Sequence, residues 1–379
     1  MALATAARRR DLAAPWRHVD AVLVAATVSV ALLGCLMVYS ATRFGLEQQG
    51  LDPLTSVKRQ VAFVGIGVVV LATVAAVDQR RLRASVPLLY LGAVGLLVLV
   101  LTPLGTEVKG AQSWFAVGSF QVQPAEAAKL ASILAIAAVC SNRRGALGGR
   151  RLATAIGLAA VPMVLVLLQP DLGSTLVFVA VVSGMLLVAG ARPRHLAALF
   201  VVGAVGAVGV LQLDVLAGYQ EERLTAFATE GGSDLQGAAF QLDQARITVA
   251  AGGLTGSGLF EGSQTKLGFV PEQQTDFIFT AVGEELGFVG AALLLALFAI
   301  VLWRTWRTAR LARDYYGTLV CGGVLEMFTF MIFENIGMTM GIMPVTGIPL
   351  PFMSYGGSAL IACGACVALV CNVYANRFS

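Results

Sequence analysis

Apolar stretches of about twenty residues alternate with short polar segments along the whole chain, the length a helix needs to cross a bilayer. Ten such windows stand out, near 20–41, 59–77, 84–103, 125–141, 152–168, 174–191, 195–215, 277–302, 316–341 and 356–374. The pattern predicts an all-α polytopic membrane protein of about ten transmembrane helices, forming a single domain over 1–379. The first window follows a basic N-terminus, as a signal peptide would. Its apolar core is long, no clear cleavage site follows it, and many further spans come after, so it is expected to stay as an anchor.

Composition supports the same class. The chain is 57% hydrophobic and 13% charged, against about 25% charged in soluble domains, and its mean hydropathy is +0.80. The net charge of +4 is better explained by topology than by an anionic partner such as nucleic acid. Basic residues cluster at 8–17, 80–83, 143–151, 192–194, 304–313 and 377, in alternate inter-span segments and both tails. The positive-inside rule makes that side cytoplasmic, with both termini inside and residues 1–19 a cytoplasmic tail. No nucleotide-binding loop and no sequence repeat is evident.

The opposite, extracytoplasmic face then carries loops near 42–58 and 104–124, the turn 169–174, and a large loop, 216–276, between the seventh and eighth spans. A Pro/Gly-rich segment, 344–357, completes it and suits a tightly folded or re-entrant stretch. The large loop is expected to include a short amphipathic helix along the membrane surface. The six cysteines lie in or beside apolar spans, so a disulfide framework is not expected. The single CxxC, Cys363 and Cys366, sits inside an apolar helix without a second pair or a histidine, which favours packing over zinc. His18 and His195 are the only histidines, and both lie beside Arg in short loops, which disfavours His-based chemistry.

Few charged residues face outward, and Asp276 is the most informative. It lies in PEQQTDFIF (271–279), where the long polar loop meets the eighth span. A carboxylate at a span boundary is a functional candidate, able to take a proton from a substrate hydroxyl. The plainer role is a helix N-cap, supplied by Thr275 or Asp276. Glu284 and Glu285 follow about 12 Å further along a continuous helix. Glu126 and Lys129, at the start of the fourth span, either contact substrate or form a local ion pair at their i,i+3 spacing. Asp171 is favoured as a cap for the helix after it. Arg59 either anchors the second span at the interface or meets substrate. Arg223, Arg246 and Lys266, all in the large loop, are either solvated or held for a phosphate.

At these residues the chain resembles the SEDS family (shape, elongation, division and sporulation), the polytopic peptidoglycan glycosyltransferases. KGAQSWFAVGSFQVQPAEAAK (109–129), LLQPDLGS (167–174), GSQTKLGFVPEQQTDFIFTAVGEELGFVG (262–290) and NIGMTMGIMPVTGIPLPFMSYGGS (335–358) are similar to family motifs, in the family's order. Departures are Ser113 for the usual Arg before Trp114, Ala125 for Ser, Gln274 for an aromatic or His, and the lack of a proline near Thr229. None of them touches Asp276, Lys266, Glu126 or Lys129.

The resemblance implies an inverting polymerisation of lipid II. The GlcNAc 4-hydroxyl of one molecule attacks C1 of the MurNAc of another, a β-1,4 link forms, and undecaprenyl pyrophosphate leaves. It assigns the catalytic carboxylate to Asp276. Positive charge at the pyrophosphate falls first to Lys266, with Arg223, Arg246 or Arg59 as alternatives and a divalent cation, Mg or Mn, able to assist. Implied partners are lipid II, the growing glycan, membrane lipid and a class B penicillin-binding protein. The implied site is the outer face of the bacterial cell membrane. KGAQSWF and the lack of long tails favour the RodA-like, elongation branch. Two readings compete: a flippase for the lipid-linked precursor, and a silent scaffold that would not need Asp276. A transporter typically shows repeats around a midplane charge, whereas the motifs here concentrate on one face.

Overall fold

The computed structural model describes residues 19–108, 110–118, 120–141, 147–212 and 237–378. Helices α1 (Ala21–Gln48), α2 (Thr55–Ala76) and α3 (Gln79–Val100) come first. After a small sheet follow α4 (Pro124–Cys140), α5 (Gly149–Leu167), α6 (Leu172–Val188) and α7 (Pro193–Gln212). The second half holds α8 (Ala238–Ala251), α9 (Ser263–Leu267), α10 (Ile278–Leu311), α11 (Tyr315–Thr339) and α12 (Gly357–Ala375). Every predicted window contains a helix. Among the described residues seven helices (α1, α2, α3, α5, α10, α11 and α12) are long and apolar enough to cross a membrane, and α6 is a shorter apolar one. The chain is a mostly helical, polytopic membrane protein.

Its surface has the inverted polarity a bilayer selects. Outward-facing Val69 of α2, Leu88 and Leu91 of α3 and Leu293 of α10 are exposed, while Gln60, Glu284, Glu334, Asn335 and Asn372 are buried. Asn372 of α12 donates to the carbonyls of Val74, Ala75 and Val77 and so closes the C-terminal end of α2. The principal core cluster runs from Leu23 in α1 to Val373 in α12, with α11 near its centre.

The segment 104–124, expected to be a loop, instead forms a three-stranded antiparallel sheet, which corrects the purely helical reading. Strands β1 (Thr106–Val108), β2 (Ala111–Val117) and β3 (Phe120–Val122) pair in the order β1-β2-β3. Three- to seven-residue strands leave no trace in a window scaled to a membrane span.

Two ends of the bundle are distinguished by what ties them. At one end, Gln123 donates to Asp171 at 2.9 Å and its backbone N–H to Ser358 at 3.0 Å. The Tyr355 N–H donates to the Gln274 carbonyl at 2.8 Å, and a Cβ on Gly173 would lie 2.7 Å from the Thr346 carbonyl. The sheet, the 169–174 turn, the 262–276 segment and the 344–357 segment therefore share one end. This last segment is coil, yet Ile348, Leu350, Phe352 and Met353 are buried, as expected of a tightly folded stretch. At the other end, Arg304 of α10 forms a buried ion pair with Asp20, the α1 N-cap, at 2.6 Å.

Candidate functional site

The site begins with a break in α10. Gly287 has φ 65° and ψ −164°, which interrupts the helix within Ile278–Leu311. Only glycine adopts that backbone region without large strain. Polar groups released by the break are taken up by the segment 253–258. The N–H groups of Phe288 and Val289 donate to the carbonyls of Gly253 and Leu254 at 2.9 and 3.1 Å. In return, the Glu284 and Glu285 carbonyls accept from the N–H groups of Ser257 and Gly258 at 2.9 and 3.1 Å. A stretch of the segment before α10 is thus sewn into that helix, so that its interrupted backbone stays hydrogen-bonded.

The break also turns two carboxylates inward. Glu284 accepts from the N–H of Gln264 at 2.7 Å, the N–H of Thr265 at 2.9 Å and the Thr265 hydroxyl at 2.7 Å. Glu285 accepts from the Ser40 hydroxyl of α1 and from the Phe260 N–H at 3.1 Å. Arg43 donates to the Phe260 carbonyl at 2.8 Å and lies over the Tyr39 and Phe260 rings. The 257–267 loop is therefore held against α1 and α10 from several sides. It presents Lys266, one-third exposed, bonded to the carboxylate of exposed Glu261 at 2.8 Å. Hydrogen bonding from Lys266, helped by its charge, holds the Glu261 carboxyl below the usual carboxylate range.

Asp276 sits half-buried just before α10. The N-cap position falls on Phe277, with no side-chain capping bond. Thr275 turns back instead, its hydroxyl donating to the Glu272 carbonyl. Neither residue expected to cap the helix occupies the cap position. The Asp276 carbonyl accepts from the Asn335 amide at 2.7 Å, and the same amide nitrogen donates to the Ile348 carbonyl at 2.8 Å. Asn335 of α11 so pins the Asp276 backbone to the 344–357 segment. Phe277 packs in a small cluster with Ala245, Val270, Met338 and Val345. That cluster brings α8 beside Asp276. Adjacent Arg246 donates to the Gly341 carbonyl at 3.1 Å and lies 4.0 Å from Asp243. The large loop does hold a helix, α8, but where an amphipathic helix along the membrane surface was expected, its Leu242, Ala245 and Thr248 are buried on a face packed against α10 and α11.

The other candidates divide clearly. Glu126 and Lys129 form a local ion pair at 2.7 Å with side chains only 5% and 2% exposed. Glu126 Oε2 is buried without a hydrogen-bond partner. The pair is sealed inside, so any contact with substrate needs the helices around α4 to part. Asp171 caps α6, accepting from the Ser174 N–H at 2.9 Å. Arg59 is exposed near the start of α2, next to Gln60, which bonds the Ser354 carbonyl at 3.1 Å. Arg223 lies outside the described residues. Among the described residues no group of three or more His, Cys, Asp or Glu converges to hold a metal ion. A divalent cation thus has no protein-built cage among them.

Sequence reasoning passed over Ser40, Arg43, Thr265, Gln273 and Asn335. For Asn335, Ser40 and Arg43 the signal is proximity across 59, 245 and 217 residues, which no local pattern carries, and for Thr265 and Gln273 it is the fold of the 262–284 stretch.

Residues 20–378 match a protein-family profile described as "Cell cycle protein", covering FtsW, RodA and SpoVE. Stage V sporulation protein E of Bacillus subtilis (strain 168) is 39% identical over 363 residues, 95% of this chain and 97% of that protein. Peptidoglycan glycosyltransferase MrdB of Escherichia coli (strain K12) is 33% identical over 361 residues, 95% of this chain and 94% of that one. Among solved structures, a chain of a peptidoglycan synthase complex, described as coordinating polymerization and crosslinking, superposes with a TM-score of 0.81. It is 32% identical, covering 95% of this chain and 99% of its own. The rod shape determining protein RodA of Thermus thermophilus superposes with a TM-score of 0.71 at 30% identity, covering 96% of this chain and 99% of its own.

Proposed function

This chain belongs to the FtsW, RodA and SpoVE family and is a peptidoglycan glycosyltransferase; we propose that it polymerises lipid II on the outer face of the bacterial membrane. Asp276 takes the proton from the GlcNAc 4-hydroxyl as that oxygen attacks C1 of the donor MurNAc. The bond from C1 to the pyrophosphate oxygen breaks, the carbon inverts, and undecaprenyl pyrophosphate leaves. Lys266 faces the charge that develops on the leaving group, with Arg246 and Arg59 as further cations. Arg223 is an additional cation of the same loop. A divalent cation bound by the pyrophosphate's own oxygens would supply further charge neutralisation.

The observation that carries the assignment is the placement of Asp276. It lies where a span begins, half-exposed, its backbone pinned by Asn335 while the helix cap falls elsewhere. A carboxylate kept at that boundary, with a partly exposed lysine on a braced loop of the same end, suits a base and a leaving-group cation better than a structural cap.

The remaining elements of the reading are ten spans, both termini in the cytoplasm, and the 216–276 loop outside. On the KGAQSWF segment we propose the RodA-like, elongation branch. A class B penicillin-binding protein is its crosslinking partner, by analogy with the synthase complex it resembles. The test is incubation of the purified chain with labelled lipid II. Wild type should form glycan polymer. Asp276→Asn should lose about 10²–10⁴-fold while still inserting and folding. Wild-type output from Asp276→Asn would remove Asp276 from the chemistry and restore the transport or scaffold readings.

A further inference from the structure

We infer that Glu284 is a positioning residue: its carboxylate fixes the short helix that carries Lys266 and, through Thr265 and Gln273, locks that helix to the segment that carries Asp276. The inference rests on the glycosyltransferase reading and extends it to a residue that touches neither sugar nor pyrophosphate.

Helix α9 has five residues, far too few to be stable on its own propensity. Its first N–H groups have no partner within the helix. Two of them, on Gln264 and Thr265, are received by Glu284, one on each oxygen. The Thr265 hydroxyl adds a third donor at 2.7 Å. An ionised carboxylate is acceptor-only, so it matches an all-donor surrounding that an amide cannot.

The chain of bonds continues. The Gln273 amide nitrogen donates to the Thr265 hydroxyl oxygen at 2.9 Å and to the Thr280 hydroxyl at 3.1 Å. Thr280 donates in turn to the Phe277 carbonyl at 2.7 Å. Glu284, Thr265, Gln273 and Thr280 are each at most 3% exposed. Each hydroxyl in this relay donates once and accepts at least once, and both hydrogens of the Gln273 amide are used. A buried polar network satisfied in this way defines one geometry rather than an ensemble. Its two ends are the residue before Lys266 and the turn that bears Asp276.

Glu284 is itself held. Its carbonyl accepts from the Ser257 N–H, at the break in α10, and a Cβ on Gly262 would lie 2.7 Å from its carboxylate. Anchor and cargo approach so closely that the loop has no room to slide. Lys266 is long and partly exposed, so the placement of its Cα decides where its charge can reach.

The test uses the full-length chain with Glu284→Gln, Thr265→Val, Thr265→Ser and Lys266→Ala, reading lipid II polymerisation (kcat and KM separately) and amide exchange across 263–268. Glu284→Gln and Thr265→Val should lower kcat by about ten- to a hundredfold, the scale of one lost hydrogen bond to a charged group. Exchange at Gln264 should quicken in both, with α1 and α11 unchanged, and Thr265→Ser should restore activity. In a Lys266→Ala background the additional loss from Thr265→Val should shrink to less than about twofold, the mark of residues acting through one another. Multiplying losses, or unchanged exchange in Thr265→Val, overturn the inference. If Glu284→Gln does not fold, the Thr265 pair decides. A wild-type chain that makes no polymer defeats the glycosyltransferase reading instead, and the exchange arm still decides whether the tether exists.

Discussion

Lys266 has two claimants. It is bonded to Glu261 at 2.8 Å, and under the proposed mechanism it must exchange that carboxylate for the departing pyrophosphate. Removing it should cost about 2–4 kcal/mol of transition-state stabilisation, about thirtyfold to nearly a thousandfold in kcat. Lys266→Ala should leave folding intact, because the side chain is partly exposed and lies outside the core. Normal turnover by a well-expressed Lys266→Ala protein would move the role to Arg246 or Arg223. Glu261→Gln should act in the opposite sense, lowering KM for lipid II severalfold by removing a competitor, with kcat little changed. The sign of its pH dependence follows from the depressed carboxyl of Glu261. The ion pair is present above the ordinary carboxylate pKa and is lost as pH falls through the lowered value. The KM advantage of Glu261→Gln should therefore be present at neutral pH and vanish under acid conditions. An advantage that persists unchanged into acid would mean that Glu261 does not compete.

The decisive element is α10, and its break was not legible in the sequence. A hydropathy window averages across Gly287, so GEELGFVG appears as continuous helix with two stray carboxylates some turns in. Only the conjunction of Gly287 at φ 65° with the 253–258 segment explains why Glu284 and Glu285 are buried and useful. By contrast, the helix positions, the Glu126–Lys129 ion pair and the Asp171 cap were legible, because each depends on local spacing or span-scale hydropathy. The sheet and the Asn335 contact to Asp276 were not, being too short or too distant in sequence. The break makes a prediction of its own. A Cβ at Gly287 would sit 2.2 Å from the Gly256 nitrogen, in a backbone region costing about 1–3 kcal/mol for other residues. Gly287→Ala should lower the melting temperature and speed exchange at the Phe288 and Val289 amides. An unaltered exchange pattern would show that α10 runs straight through.

The arginines near the end of α10 lie away from the candidate site, and the orientation this implies can be tested without any enzymology. The sheet, the 169–174 turn, α9, Asp276 and the 344–357 segment are tied together at one end. The basic residues Arg304, Arg307, Arg310 and Arg313 lie at the far end of α10 or just beyond it. If the first end is outside, the proposed base and cation face the lipid-linked substrate and the arginines face the cytoplasm. Single cysteines at Gln274 and Gly356 should then react with an impermeant thiol reagent in intact cells, and one at Arg310 should not. Both outer sites accept the change. The Gln274 contact to Tyr355 uses only its backbone carbonyl, and the nearest heavy atom to a Cβ on Gly356 is the Ala359 Cβ at 3.9 Å. Background should be low, because five of the six native cysteines are buried and Cys35 is partly so. Arg310 is exposed over the Trp306 ring, so a cysteine there would label readily if that end were outside. Labelling of Arg310→Cys in intact cells, with silence at Gln274→Cys, would invert the orientation and place Asp276 on the wrong side of the membrane for the proposed reaction.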